Sequence, residues 1–238
     1  MGKTTGISWT DGTWNPWHGC VKISPGCQYC YMYRDKQRYG QDPTQVVRSQ
    51  TTFEGPLKWK APTRVFTCSW SDFFLPAADA WRPAAWEVIR RTPQHTYMIL
   101  TKRIDRVADH LPDGWPWAHV WLGVSVESGP YVWRIDRLRE VPAAVRFLSC
   151  EPLLSPITPL DLRGIGWVIV GCESGPQRRP MDGTWARRIY GQCAHAGAAF
   201  WMKQMDVGGR VTEELSQFPE DLRVRQLPYV YAKQEELF

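Results

Sequence analysis

His119 to Ser128 reads HVWLGVSVES. Its apolar part shows no polar residue at alternate positions, so an extended segment here would be covered on both faces, as the strands of a parallel sheet are. The run then breaks into Ser125, Glu127 and Ser128. The same form recurs in TRVFTCSW (around 64–70), HTYMILTKR (95–103), VRFLSCEP (145–152), WVIVGCESG (167–175) and AAFWMKQM (198–205). Stretches of helical character lie between several of them, at Ala78–Arg91, Arg103–His110, Tyr131–Glu140 and Thr184–Ala196. Strands alternating with helices imply right-handed βαβ units. Glu151–Gly166 is too rich in proline for a long helix and reads as a loop. With GISWT (6–10) as a first strand, the count is six or seven. The expectation is an α/β fold, a partial or near-complete (β/α) barrel, whose full form takes roughly 250 residues. It would occupy residues 1–207, with a cysteine loop at 14–31, and leave 208–238 as a small appendage or short strand pair.

The strand ends carry the polar residues: Ser69, Ser71 and Asp72; Thr101, Lys102 and Arg103; Ser125 and Glu127; Ser149 and Glu151; Glu173 and Ser174; Lys203 and Gln204. In a parallel barrel every C-terminal strand end opens on one rim, so these side chains are expected to converge on one pocket. Polar strand ends also arise where helix caps begin. So many charged groups would nonetheless be costly to bury without a shared ligand.

The 238 residues, 43% hydrophobic and 22% charged, provide enough apolar mass for a core. No run approaches the length of a membrane span, and MGKTTGISWTDG lacks the apolar stretch of a signal peptide. No membrane association and a cytoplasmic location with reduced cysteines are therefore expected, and an odd count of seven cysteines argues against a fully paired disulfide framework. Lys and Arg outnumber Asp and Glu by 29 to 24, a balance compatible with a polyanionic partner. Trp9, Trp14 and Trp17 crowd around the first cysteine, where large rings could shield a site from water. The Gly-Lys-Thr of MGKTTG has neither the upstream glycine nor the strand of a phosphate loop and reads as a chance match.

Three cysteines fall in one loop, CVKISPGCQYCY (20–31), with spacing C-x6-C-x2-C. Structural zinc wants four ligands, and the chain has no second C-x-x-C; His18 would have to complete the site from the same loop. A redox pair at Cys27 and Cys30 would leave Cys20 without a role. Three thiolates also suit a [4Fe-4S] cluster with one iron open to a substrate or cofactor.

The ending Cys27-Gln28-Tyr29-Cys30 resembles that of the three-cysteine loop of radical S-adenosylmethionine enzymes, whose commonest spacing, C-x3-C-x-aromatic-C, has a shorter first gap. More specifically, the chain resembles a phage- and prophage-associated family of three-cysteine proteins allied to that superfamily. The likeness runs through ISWTDGTWNPWHGC, SPGCQYCY, RVFTCSWSDFF, YMILTKR, LGVSVES, FLSCEPLL, WVIVGCESGP and AFWMKQ. It implies that Cys20, Cys27 and Cys30 hold a [4Fe-4S] cluster whose open iron takes S-adenosyl-L-methionine, with reductive cleavage giving methionine and a 5′-deoxyadenosyl radical. It also implies that Tyr29 sits near the adenine, that Ser69, Ser71 and Asp72 receive the methionyl amine, that Lys102 or Arg103 pairs its carboxylate, and that Ser125 and Glu127 reach the ribose. Glu151 is a further cofactor-side candidate. Each has a plainer reading, as a packing aromatic, a solvated helix start or a helix cap. Cys68, Cys150 and Cys172 fall at or near strand ends, and Cys150 and Cys172 are candidates for returning a hydrogen atom to a product radical, as in the logic of spore photoproduct lyase. The rival is a small buried hydrophobe.

The reaction expected from this resemblance modifies or repairs a nucleobase in DNA or RNA, with a nucleic-acid substrate and an electron donor such as flavodoxin or ferredoxin as partners. A radical enzyme acting on a peptide or small metabolite is the alternative within the superfamily. A non-catalytic zinc- or Fe-S-containing nucleic-acid-binding protein is the alternative outside it.

Overall fold

The structure is a computed structural model that describes residues 5–229. Its strands are β1 (Gly12–Trp14), β2 (Trp17–His18), β3 (Val47–Arg48), β4 (Arg64–Thr67), β5 (Thr96–Thr101), β6 (Val120–Ser125), β7 (Val145–Cys150), β8 (Trp167–Gly171), β9 (Ala199–Val207) and β10 (Arg210–Thr212). The main sheet has eight strands in the order β1-β4-β5-β6-β7-β8-β9-β10. Every neighbouring pair is parallel except β9 and β10. β2 and β3 pair separately. The sheet is open, with β1 and β10 at its edges, and curls into a half-barrel whose strand ends from β4 to β9 face one cavity. The α-helices are α1 (Tyr31–Arg38), α2 (Arg82–Arg90), α3 (Trp133–Glu140) and α4 (Gly183–Ala196). The side chain of Asp182 caps the start of α4 by accepting from the Thr184 amide at 2.8 Å, and Gly197, at φ +70°, ends it in the left-handed region.

Two local expectations change. GISWT is not a strand. Thr10 donates through its hydroxyl to the Arg64 and Gly12 carbonyls, and its amide turns back to the Ile7 carbonyl. That turn sends Trp9 into the concave face of the sheet, and pairing starts only at Gly12. Arg103–His110 forms two short 3-10 turns, Ile104–Arg106 and Ala108–His110, before Leu111-Pro112 ends the helical backbone. Beyond residue 207, β10 joins the sheet while Phe218 and Leu222 enter the core. Residues 1–4 of MGKTTG and 230–238 of the tail lie outside the described residues.

Strand alternation divides the molecule into two packed layers. On the convex side Leu122, Val124, Leu148, Cys150, Val168, Val170 and Met202 pack among residues of α2, α3 and α4. On the concave side Trp9, Phe66, Met98, Trp121, Phe147, Trp167, Ile169 and Trp201 fill the barrel interior. Trp167 has the rings of Trp9, Trp121, Phe147 and Trp201 all centred about 6 Å away. Gly123 makes room for this plug, because a Cβ there would lie 2.5 Å from the Phe147 ring. Trp9 and Phe66 of this cluster also line the floor of the cavity at the C-terminal strand ends. Trp14 and Trp17 do not shield that cavity: they pack on Phe53, Tyr97 and Phe73.

Candidate functional site

The cavity at the strand ends has a volume of about 470 Å³, within the range of small-molecule sites. Cys20, Cys27, Cys30 and Tyr29 form one face, and Ser69, Ser71, Asp72, Thr101, Lys102, Arg103, Ser125 and Ser149 stand along the rim. Glu151, Cys172, Lys203, Gln204 and Glu213 form the far wall, over a floor of Ile7, Trp9, Phe66 and Leu100. The polar strand ends thus do converge.

The cysteine loop is held by contacts along the whole of its long first gap. Gly19 precedes it at φ +94°, and a Cβ there would strike the Gln45 carbonyl at 2.2 Å. The Ser71 hydroxyl donates to the Gly19 carbonyl (2.6 Å), Tyr33 to that of Cys20 (2.5 Å) and Arg103 to that of Val21 (2.7 Å). Arg179 donates to the Pro25 carbonyl (2.9 Å) while its guanidinium sits 5.4 Å from the Tyr29 ring. Its other bonds go to Glu173, which ties the segment after β8 to the loop. Arg103 also lies 3.9 Å from the Cys20 sulfur, and the Ser24 hydroxyl 3.6 Å from that of Cys27.

Two carboxylates fix this wall. Asp72 accepts from the Thr101 hydroxyl (2.7 Å), the Lys102 amide (3.0 Å), the Phe74 amide (2.9 Å) and Arg103 (3.1 Å). Glu127 has no solvent exposure and lies outside the cavity lining. It accepts from Ser24 in the cysteine loop (2.5 Å), pairs with Lys102 (3.0 Å) and binds Arg134 of α3 (2.9 Å). A Cβ on Gly26 would lie 2.5 Å from the same carboxylate. Burial raises the Glu127 carboxyl, but Lys102, Ser24 and Arg134 together outweigh it and hold the group below the ordinary glutamate range. The loop therefore rests on a buried ion cluster. Asp72, which lines the cavity, and Glu127, which does not, are thus both bonded into the scaffold.

The far wall is arranged otherwise. Glu151 pairs with Lys203 at 3.1 Å and accepts weakly from Ser149 at 3.3 Å. Glu213 is raised by burial, against the pull of Lys203 and with Glu151 pushing the same way. Sequence reading passed over Glu213, which lies beyond the apolar runs; its signal was only a carboxylate in the short pair that ends the sheet. Cys150 does not reach the cavity. Because Ser149 faces inward, alternation turns Cys150 to the helices, where it is fully buried. Cys172 and Cys68 do line the cavity. Cys68 holds φ +62°, unusual for a residue with a Cβ, and its thiol is raised well above the ordinary value by burial.

All seven cysteines are free. Burial pushes the Cys20 thiol up to about 12, with Asp72 adding to the rise and Arg103 opposing it; burial also raises Cys30. Such thiols become thiolates only where a metal or a fixed cation replaces the lost hydration. Among the described residues no three His, Cys, Asp or Glu side chains converge as ligands of a single ion, and His18, on β2, does not line the cavity. No helix of the described residues is long and apolar enough to cross a membrane. No curated protein and no solved structure matches the chain significantly. Residues 4–228 match the family described as "Protein of unknown function (DUF5131)", and the chain belongs to that family.

Proposed function

We propose that the protein is a radical S-adenosylmethionine enzyme that carries a [4Fe-4S] cluster on Cys20, Cys27 and Cys30 and modifies or repairs a nucleobase. The observation that carries this reading is the placement of three free, half-buried thiols from one loop on one face of a cavity at the C-terminal rim of a parallel half-barrel. Three thiols from one loop, without a fourth cysteine in it, are the donor set that a cubane with one open iron would use, whereas a structural zinc would want four donors. When bound, the cluster and cofactor supply one-electron cleavage to methionine and a 5′-deoxyadenosyl radical.

The chain's own residues have supporting tasks. Arg103 and Ser24 place a cation and a hydroxyl beside the sulfurs of Cys20 and Cys27, contacts that tune a cluster's potential. Lys102 lines the cavity with its ammonium held by Glu127, a fixed cation for a carboxylate. The aromatic cluster, two of whose rings (Trp9 and Phe66) line the cavity floor, gives the site an apolar base suited to radical chemistry. A nucleic-acid substrate is supported by the excess of Lys and Arg and by the aromatic floor.

Anaerobic reconstitution with iron and sulfide, followed by dithionite and S-adenosylmethionine, should yield 5′-deoxyadenosine. An intact cluster that gives none with or without oligonucleotide would sink the radical reading. Cys27→Ala should lose the cluster's visible absorption and Cys193→Ala should keep it; equal loss in both would refute the ligand set. Binding of a single-stranded oligonucleotide should weaken steeply with salt.

A further inference from the structure

The charged groups of the far wall make no bond to the cysteine loop and cap no helix, so their features must be explained on other grounds. β9 carries a bulge at this point: Val170 pairs with Met202 and the next residue, Gly171, with Gln204, which leaves Lys203 as the extra residue. Two consecutive side chains, Lys203 and Gln204, consequently reach the cavity. Bulges of this kind re-aim side chains beside functional sites. Gly171 makes the matching space for Glu151, since a Cβ there would lie 2.7 Å from Glu151 Oε1. That oxygen is inaccessible to solvent. Lys203 Nζ lies 3.1 Å from it but off the hydrogen-bonding direction, so its lone pair has no donor.

Lys203 faces both Glu151 and Glu213, Arg225 also acts on Glu213 and donates to its carbonyl at 2.6 Å, and the other donors to the two carboxylates are the Ser149 hydroxyl and the Ser8 amide. Below them Trp9, 1% exposed, lines the floor beside Phe66 with ring centroids 4.6 Å apart, and its indole N–H has no partner. The wall and floor together leave Glu151 Oε1 without a hydrogen-bond donor and the Trp9 indole without an acceptor, and they present an aromatic surface. An unpaired buried carboxylate oxygen or indole N–H is costly unless a ligand completes it. A simple alkylamine supplies the donor but not the acceptor. A planar heterocycle with an exocyclic amino group supplies both, and its π-face suits the rings.

We propose that Glu151, Lys203 and Glu213, over the Trp9 floor, form a recognition subsite for the exocyclic amino group of the target base. The assignment rests on the nucleobase reading given above. Its chemistry predicts the amino-bearing bases cytosine, adenine and guanine as substrates and disfavours uracil, thymine and hypoxanthine, which lack the amino group. S-adenosylmethionine carries the same amino-heterocycle edge in its adenine, so the test must separate cofactor from target.

Calorimetric titration of the full chain with cytidine, uridine, adenosine and inosine needs no cluster, which keeps this result independent of radical activity. Cytidine and adenosine should bind about tenfold or more tightly than uridine and inosine, the size expected for one charge-assisted hydrogen bond. Glu151→Gln, which preserves shape, and Gly171→Ala, which crowds the same oxygen, should each erase the preference while circular dichroism stays native. Equal affinities within each pair, no nucleoside binding, or a preference that survives both variants would overturn the subsite. Displacement of cytidine by S-adenosylmethionine would assign the wall to the cofactor's adenine and overturn the target-base role; simultaneous binding of both supports it. Preference for a lysine-containing peptide over every nucleoside would also overturn it. Loss of the preference in a chain that still forms 5′-deoxyadenosine would leave the radical reading standing alone, and the reverse outcome would leave only the subsite.

Discussion

On one wall of the cavity Asp72, Lys102, Arg103 and Glu127 bind one another and the cysteine loop; on the other, Glu151, Lys203 and Glu213 face one another and make no bond to that loop. The residue types are the same, and both sets stand at or just beyond the ends of sheet strands. They differ in what their partners are. Four polar groups converge on Asp72 and three on Glu127, and these tie β5, α3 and the loops after β2 and β4 into one unit. The far wall owes its placement to a bulge and a glycine and stays incompletely bonded. Buried charge serves the scaffold on the first wall and is left for a ligand on the second.

Removal of the central carboxylate gives the largest contrast. Glu127→Ala leaves Lys102 and Arg134, the latter 2% exposed, without their counter-ion, and should cost about 3–5 kcal/mol in urea unfolding. Lys203→Met on the far wall should change stability by less than about 1 kcal/mol, because its two carboxylates can take up protons. Similar losses for both would erase the distinction between the walls. Next in size, Gly26→Ala drives a Cβ into the Glu127 carboxylate and should cost roughly 1–3 kcal/mol. The same change should speed alkylation of Cys27 relative to fully buried Cys193, since the displaced loop exposes its thiol. An unchanged Cys27 rate would mean that Glu127 does not position the loop.

The difference between the walls also marks where sequence reading stopped. Strands β4 to β9 could be located because apolar runs covered on both faces have an abrupt polar end, and that end is also what placed Lys102, Glu151 and Lys203 on the rim. The pairings were not legible. Ser24 and Glu127 are 103 residues apart, and Asp72 and Arg103 are 31 apart, so no local spacing joins them. The resemblance gives Asp72, Ser125 and Glu127 as cofactor contacts, and only the structure shows that Asp72 and Glu127 are also bonded into the scaffold. The inward run of Lys203 and Gln204 was hidden for another reason: strict alternation sends one of them out, and only the bulge brings both in. The outward turn of Cys150 did follow from alternation, once Ser149 is taken as inward. Residues 7–10 misled because Ile and Trp in an extended-looking run fit a strand as well as the turn that Thr10 imposes.

The smallest effect tests the comparison through its sign. Glu127 is held below the ordinary glutamate value, so the stability it lends is complete above its unfolded pKa, about 4.3, and is lost as pH falls through the lower folded value. Glu213 is raised by burial, so its folded state prefers the proton; the corresponding stability is present below about pH 4.3 and is lost as pH rises through the folded value. Measured against wild type in urea, Glu127→Gln should lose relative stability as pH rises toward about 4.3 and stay level above it, whereas Glu213→Gln should gain relative stability as pH rises above about 4.3. The second shift should be small, because Glu213 is only half-buried and solvent screens it. Two curves of the same sign would mean that Glu213 is held by the fold as Glu127 is, and the far wall would then have no unmet carboxylate to offer a ligand.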